Sequence, residues 1–147
     1  MTDLKHNRER LGHRLGQIAR LWRAEVDRRL SPHGLTEARW RLLLALYKSD
    51  QPMLQKELAD LIGVQGPTLV RTLDWLETEH LVERRSINGD KRCKTIHLTL
   101  RAEPSLERIT AVVESVREDI FEGIDPTDIN TCLSVIDQLA SRLTNPS

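Results

Sequence analysis

Apolar residues in the first third of the chain recur with the period of an α-helix. Between residues 11 and 30 they are three or four positions apart, which predicts an amphipathic helix. Pro32 and Gly34 are expected to end this helix. Thr36 is a suitable N-cap for a second helix. The predicted inner face of that second helix consists of Trp40, Leu43, Leu44 and Tyr47.

Two shorter helices are predicted after a loop at residues 49–52. The third helix covers about Gln55 to Ile62, and Gly63 is placed to end it. Gly66 and Pro67 open the fourth helix, since proline is well tolerated in the first helical turn. This helix is expected to reach about His80, with an apolar stripe formed by Leu69, Val70, Leu73 and Leu76. The residues predicted to lie off the stripe are Gln65, Thr68, Arg71, Thr72 and Trp75.

The period then changes from helical to alternating, which predicts a β-hairpin. Its strands are expected at Leu81–Ile87 and Lys94–Leu100, the second with Ile96, Leu98 and Leu100 on one face. Between them, Asn88-Gly89-Asp90 is typical of a tight hairpin turn.

Two helices complete the pattern. One follows Pro104 with a stripe of Leu106, Ile109, Val113, Val116 and Ile120, and it ends at Gly123. The other has Asp125 as its N-cap and a stripe that includes Ile129, Leu133, Ile136 and Leu143. The predicted fold is therefore mainly α with one β-hairpin, in the order α-α-α-α-β-β-α-α. Both terminal stripes are expected to be covered by a second copy of the chain, although they could instead fold back onto the chain's own core.

Charge is unevenly distributed along the 147 residues, although the formal net charge is zero. Residues 84–101 hold six basic residues against one acidic residue, a net charge of +5, whereas residues 103–147 hold three against nine, a net charge of −6. A basic hairpin after two short helices indicates a surface that binds the phosphates of DNA. The absence of a long apolar run and of an apolar signal sequence, together with two widely spaced cysteines, leads us to expect a cytoplasmic protein without a membrane partner.

The helix pair and the hairpin together predict a winged helix-turn-helix. Arg71 is the best candidate for reading a base, because a guanidinium can bind guanine O6 and N7 together. Arg92, near the tip of the hairpin, is long enough to enter a minor groove. Asp90 is the expected brace for this arginine. The other candidate contacts to bases or phosphates are Gln65, Thr68, Thr72, Arg84, Arg85, Lys91 and Lys94.

At these residues the sequence resembles the MarR family of bacterial regulators, and within it the SlyA-type branch. The hairpin carries Asp90-x-Arg92-x-x-x-x-x-Leu98-Thr99, which is similar to the family's wing signature. The run Gln65-Gly66-Pro67-Thr68-Leu69-Val70-Arg71-Thr72-Leu73-Asp74-x-Leu76-Glu77 is similar to the SlyA-type recognition helix, and Ala19-Arg20-Leu21-Trp22-Arg23-Ala24 to its first helix.

The resemblance implies a transcription regulator that binds a pseudo-palindromic, often A/T-rich operator in double-stranded DNA as a homodimer. It also implies that Arg71 contacts a base, that Arg92 enters the minor groove and that Asp90 braces the wing. Residues 36–100 would then form the DNA-binding domain, and residues 1–35 and 101–147 the helical dimerisation region. The alternatives are a winged-helix module that binds protein without binding DNA, and an enzyme with a pocket between its helices.

The resemblance further implies a small aromatic carboxylate as an effector. The matching positions are Leu15, Trp22, Thr36, Trp40 and Arg71, although tryptophans at helical spacing also fit a core. No cofactor is expected, because the five histidines have no metal-ligand spacing and no nucleotide-binding or hydrolase motif is found. For the same reason we expect neither a catalytic site nor enzymatic activity.

Overall fold

The structure, a computed structural model, describes residues 2–145, apart from the side chains of Thr2 and Lys91. The mainly helical fold with a β-hairpin is confirmed. The helices are α1 Thr2–Leu30, α2 Glu37–Lys48, α3 Gln55–Ile62, α4 Gly66–Thr78, α5 Glu103–Phe121 and α6 Pro126–Thr144. The strands are β1 Met53–Leu54, β2 Val82–Ile87 and β3 Asp90–Leu98, and 3-10 turns occupy Ser31–His33 and Leu100–Ala102.

Local sequence signals explain where the central helices begin and end. The backbone N–H of Leu54 donates to Glu57 Oε1 at 3.1 Å, which caps the first turn of α3. Gly63 has φ of +68°, a left-handed conformation that favours glycine, and it ends α3. Pro67 stands in the first turn of α4, where its missing N–H breaks no helical hydrogen bond. The predicted bounds of α3 and the predicted start of α4 are therefore confirmed.

The sheet has three antiparallel strands in the order β1-β3-β2. Asn88 and Gly89 both have positive φ, +49° and +78°, as a two-residue hairpin turn requires, so the predicted turn is confirmed. The second strand was predicted to begin at Lys94 but begins at Asp90. Strand β1 lies beside β3, with Met53 opposite Ile96, and it was not predicted. Two residues are too few to show an alternating pattern.

The core is formed by α2, α3, α4 and one face of the sheet, together with residues from α1 and α5. Three residues that were predicted to face inward are exposed instead, namely Tyr47, Val70 and Leu100. Their places are taken by Leu42 and Leu46 in α2 and by Thr72 in α4. Helical spacing predicts the centre of an apolar stripe better than its edges. A residue at an edge can therefore face solvent instead of the core.

The two C-terminal helices differ in burial, which corrects the expectation that both stripes await a second chain. Leu106, Ile109, Val113 and Val116 of α5 are buried in the chain's own core. By contrast, α6 has no buried residue. The contacts divide the described chain into two compact units, the first reaching Val116 and the second beginning at Arg117. The apolar surface left uncovered near the C-terminus therefore belongs to the second unit.

A pair of substitutions in α4 tests the assignment of its inner face. Leu73 is fully buried, whereas Val70 is 39% exposed. We expect Leu73→Ala to lower the free energy of unfolding by about 2–5 kcal/mol, because it leaves a cavity. The control Val70→Ala should change it by roughly 0.5 kcal/mol or less. Urea denaturation measures both values, and equal losses would contradict the assignment.

Candidate nucleic-acid interface

The outward face of α4 presents polar side chains from its N-terminal half. Gln65, the N-cap residue, and Arg71 are exposed, and Thr68 between them is half-buried. The guanidinium of Arg71 lies 3.5 Å from Thr68 Oγ1. Arg71 is thus held near Thr68 on the solvent side of the helix, where it can reach an external acceptor.

Thr72 does not share this face, which corrects its prediction as a nucleic-acid contact. Its side chain is buried, with 9% of the residue exposed. Its hydroxyl donates to the carbonyl of Thr68 at 2.9 Å. A threonine hydroxyl within a helix can donate in this way to the backbone carbonyl one turn earlier. Being polar, Thr72 appeared to lie off the apolar stripe, but its position in the helical period places it beside Leu69, Leu73 and Leu76.

The hairpin of β2 and β3, called the wing below, carries an ordered arginine near its tip. Asp90 Oδ1 accepts a hydrogen bond from the backbone N–H of Arg92 at 2.9 Å and lies 3.5 Å from Arg92 Nε. The side chain of Arg92 is nevertheless 93% exposed. The structure therefore brings the predicted brace and the predicted minor-groove residue together and leaves most of the guanidinium open to solvent.

Arg84, also predicted as a contact to bases or phosphates, lies in a different environment from that of the exposed arginines. Its side chain is only 16% exposed. Its Nη2 donates to Asp74 Oδ1 at 2.5 Å and to Glu77 Oε1 at 3.2 Å. The hydrogen bond from Arg84 holds the pKa of the Glu77 carboxyl below its usual range, and the same bond raises the pKa of Arg84. The positive charge of Arg84 is therefore neutralised within the chain.

The remaining basic residues of the wing are more accessible. Arg85 is exposed, and its Nη2 lies 3.0 Å from Glu83 Oε2, an exposed ion pair that contributes little and can be exchanged for another anion. Lys94 is half-buried on β3, opposite Ser86. The side chain of Lys91, also predicted as a phosphate contact, lies outside the described residues.

A groove of about 570 Å³ connects the start of α3, the start of α4 and the wing. Its lining includes Gln55, Lys56, Gly66, Arg84, Arg92 and Lys94. The sequence pattern did not single out Gln55 and Lys56, which belong to no run of charge. Their position at the start of the first helix of the pair is a usable signal, because that helix crosses the DNA backbone in helix-turn-helix proteins.

The five candidate effector residues occupy different environments in the single chain. Trp40 is buried in the core, and Trp22 packs against that core from α1. Thr36 and Arg71 are exposed. Leu15 lines a shallow cavity on α1 together with Arg10, Arg14 and Leu21. Within this chain, Trp40 therefore fits the alternative that tryptophans at helical spacing belong to the core.

Two further observations concern the described part of the chain alone. Across residues 2–145, none of the helices is both long and apolar enough to cross a membrane. Within the same range, His, Cys, Asp and Glu side chains form no group of three or more that could hold a metal ion.

The fold and the basic face define a winged helix-turn-helix protein of the type found in transcription regulators. The family model described as the MarR family matches residues 33–92. The transcriptional regulator PA3341 is 44% identical, with 92% of this chain and 98% of that chain covered and a TM-score of 0.85. The chain belongs to the MarR family of transcription regulators.

Solved structures of lower identity share the fold. MarR itself is 26% identical with a TM-score of 0.76, and the alignment covers 91% of this chain and 90% of that chain. MepR from S. aureus, solved as a complex with DNA, is 21% identical with a TM-score of 0.75 over 88% of this chain and 96% of that chain. At these levels of identity the likeness concerns the arrangement of helices and strands.

Proposed function

We propose that this protein is a sequence-specific regulator of the SlyA-type branch that binds a pseudo-palindromic, often A/T-rich operator as a homodimer. The observation that carries the proposal is the exposure of two arginines on adjoining elements, Arg71 on α4 and Arg92 on the wing. A helix in the major groove and a hairpin in the minor groove would use these two positions together. A winged helix that binds only protein would have no need of both.

The proposal gives each exposed residue a role. Arg71 reads a base through guanine O6 and N7, and Gln65 and Thr68 contact neighbouring bases or phosphates. Arg92 enters the minor groove while Asp90 holds its backbone. Arg85, Lys91 and Lys94 neutralise phosphates, as do Gln55 and Lys56, which are added here from the lining of the groove. Thr72 and Arg84 are omitted, because one is buried and the other is paired with acidic side chains.

The domain organisation follows from the same division. We assign DNA binding to residues 36–100 and dimerisation to residues 1–35 and 101–147. Within the dimerisation region, the apolar residues available to a second copy are those exposed on α1 and α6, whereas the buried part of α5 supports the chain's own core. They include Leu4, Leu11, Ile18, Leu21, Leu133, Ile136, Leu139 and Leu143. A two-fold dimer would place its two recognition helices about one DNA turn, ~34 Å, apart.

Selection of bound duplexes from a random DNA library tests the proposal. We expect enrichment of inverted half-sites separated by about 10 base pairs from centre to centre. Binding of the selected site should weaken steeply as salt rises, because phosphate contacts release counterions. Failure to enrich any sequence, with no salt-dependent gel shift, would favour the protein-binding module. Turnover of a defined substrate is the outcome that would support an enzyme.

We also propose that a small aromatic carboxylate weakens operator binding, with Leu15, Trp22, Thr36, Trp40 and Arg71 near the effector. The buried indole N–H of Trp40 supports this idea, since it has no hydrogen-bond acceptor among the described residues and a bound carboxylate could supply one. CouR from Rhodococcus jostii RHA1, a structural relative at 24% identity, was solved with p-coumaroyl-CoA.

Salicylate is the probe for the effector. We expect millimolar salicylate to lower the operator affinity of the wild type and to have a smaller effect on Trp40→Phe, which keeps an aromatic ring but loses the donor. Benzamide, which lacks the charge, is the matched control compound. A gel-shift titration measures the affinities, and an unchanged affinity with salicylate would contradict the proposal.

A further inference from the structure

Arg84 links the recognition helix to the wing. Asp74 and Glu77 are one turn apart on α4, and the guanidinium of Arg84, from β2, binds both carboxylates through the contacts given above. Two more hydrogen bonds go to Glu77 Oε2, from the backbone N–H of Arg84 at 3.3 Å and from its Nε at 3.4 Å. We call these three residues the Arg84 clamp.

The position of the Arg84 clamp along β2 determines which part of the wing it can hold in place. Val82 is buried in the core, Glu83 is exposed and Arg84 is half-buried. Every later residue of β2, from Arg85 to Ile87, is exposed. Arg84 is therefore the last residue of β2 whose side chain is not exposed, and beyond it β2 pairs with β3 while its side chains are exposed.

The length of the segment beyond Arg84 shows what loss of the clamp would do. Ile87 lies three positions after Arg84, a distance of ~10 Å along an extended strand. A tilt of about 10° at Arg84 would move the end of β2 by roughly 2 Å over that length. Such a shift is comparable to a hydrogen-bond length, so it would misplace Arg92 relative to α4.

We propose that Arg84 is a positioning residue that sets the angle between the recognition helix and the wing. The proposal rests on the function proposed above and deepens it, because it makes the spacing between the major-groove and minor-groove contacts a property of the Arg84 clamp. Arg84 acts through Arg92 and does not itself touch DNA. A bidentate, largely buried guanidinium is suited to this role, because its planar fork fixes the orientation of both partners.

The rival interpretation treats Arg84 as a phosphate contact that the acidic residues merely hold in place. The two interpretations differ in the dependence of binding on salt. Loss of a phosphate contact lowers the slope of log affinity against log salt by about one. Loss of a positioning residue lowers the slope only through the misplaced Arg92, so in an Arg92→Ala background it should leave the slope unchanged, whereas loss of a phosphate contact would still lower it by about one.

Arg84→Met and the matched control Arg85→Met distinguish them, because the two residues are adjacent and each variant loses one positive charge. With the selected operator, we expect Arg84→Met alone to bind about tenfold more weakly, but in an Arg92→Ala background to change neither the affinity nor the salt slope. Arg85→Met should lower the slope. Arg84→Lys should recover part of the affinity, because one ammonium can bind either carboxylate. A slope that Arg84→Met lowers further in the Arg92→Ala background would overturn the proposal.

The acidic partners provide a test of opposite sign. Asp74→Asn combined with Glu77→Gln removes two negative charges and leaves Arg84 in place. If Arg84 contacted phosphate, this double variant would bind DNA as tightly as the wild type or more tightly. The clamp instead requires weaker binding, with no further loss when Arg84→Met is added. Equal or tighter binding by the double variant would overturn the proposal.

Amide hydrogen exchange of the free protein tests the Arg84 clamp independently of the proposed function. We expect Arg84→Met to increase exchange in β2 and β3 by about tenfold, while Arg85→Met leaves it near the wild-type rate. If the wild type binds no DNA, the proposed function fails and this measurement alone decides whether the clamp orders the wing. Unchanged exchange in Arg84→Met would overturn the clamp even if DNA binding were confirmed.

Discussion

Replacing Leu133 and Ile136 with glutamate should convert the protein to a monomer and weaken operator binding roughly 100-fold or more. Both residues lie on α6, are one turn apart and are exposed in the single chain. In the proposed dimer they are covered by the second copy. A buried carboxylate without a partner is costly, so two of them on each chain would prevent association.

The effect on DNA follows from the two half-sites. A dimer binds its second half-site at a high effective concentration, and a monomer loses this advantage without losing any residue of the interface. Analytical ultracentrifugation measures the oligomeric state, and a gel shift with the selected operator measures the affinity. Circular dichroism should show that the variant remains helical, because α6 contributes no buried residue to the single chain.

Thr131→Glu is the control, since it adds one glutamate to α6 on the face opposite the apolar stripe, where the double variant adds two on the stripe itself. Thr131 is exposed, and its hydroxyl donates to the carbonyl of Thr127 within the helix. We expect this variant to remain a dimer with near wild-type affinity. If the Leu133 and Ile136 double variant also remained a dimer, α6 would not form the interface.

Arg71→Ala and Arg92→Ala should weaken operator binding in two different ways. Removing a bidentate contact to guanine costs about 1–3 kcal/mol of discrimination, so Arg71→Ala should relax the preference for one base in each half-site. Arg92→Ala should weaken binding to all A/T-rich sites and lower the salt slope, because the exposed guanidinium neutralises the minor groove.

Repeating the library selection with each variant measures both effects. Only the Arg71→Ala library should lose information at a base contacted by α4. Lys48→Ala, which removes a positive charge outside α4 and the wing, is the control for a general change in charge. Equal affinity of the wild type, Arg71→Ala and Arg92→Ala would exclude the proposed interface.

Elements whose determinants are close together in the chain were predictable. Gly63 ends α3, Pro67 marks the first turn of α4, and Asn88-Gly89 forms the hairpin turn, because each depends on local backbone conformation. The exposed candidates Gln65, Arg71 and Arg92 also follow from local periodicity. The pairing of β1 with β3 was not predictable, because it joins two residues to a strand some forty positions later.

Thr72 and Arg84 show why the environment of a side chain cannot be predicted from local sequence pattern alone. Thr72 is polar and was predicted to face solvent, but its helical position places it inward and the Thr68 carbonyl satisfies its hydroxyl. Arg84 belongs to a basic run and was predicted to contact phosphate. Its partners Asp74 and Glu77 lie on a different element, and the run of charge contains no sign of them.

The sequence by itself determined the order of the elements, the turn of the wing, the basic hairpin and the family resemblance, because periodicity, glycine conformation and charge are properties of neighbouring residues. Only the tertiary structure decided which apolar stripes are buried, placing that of α5 in the core and leaving that of α6 exposed. The tertiary structure alone distinguished Arg84, which is paired with carboxylates, from Arg92, which is exposed. Burial and ion pairing depend on contacts between distant elements, and these exist only in the folded chain.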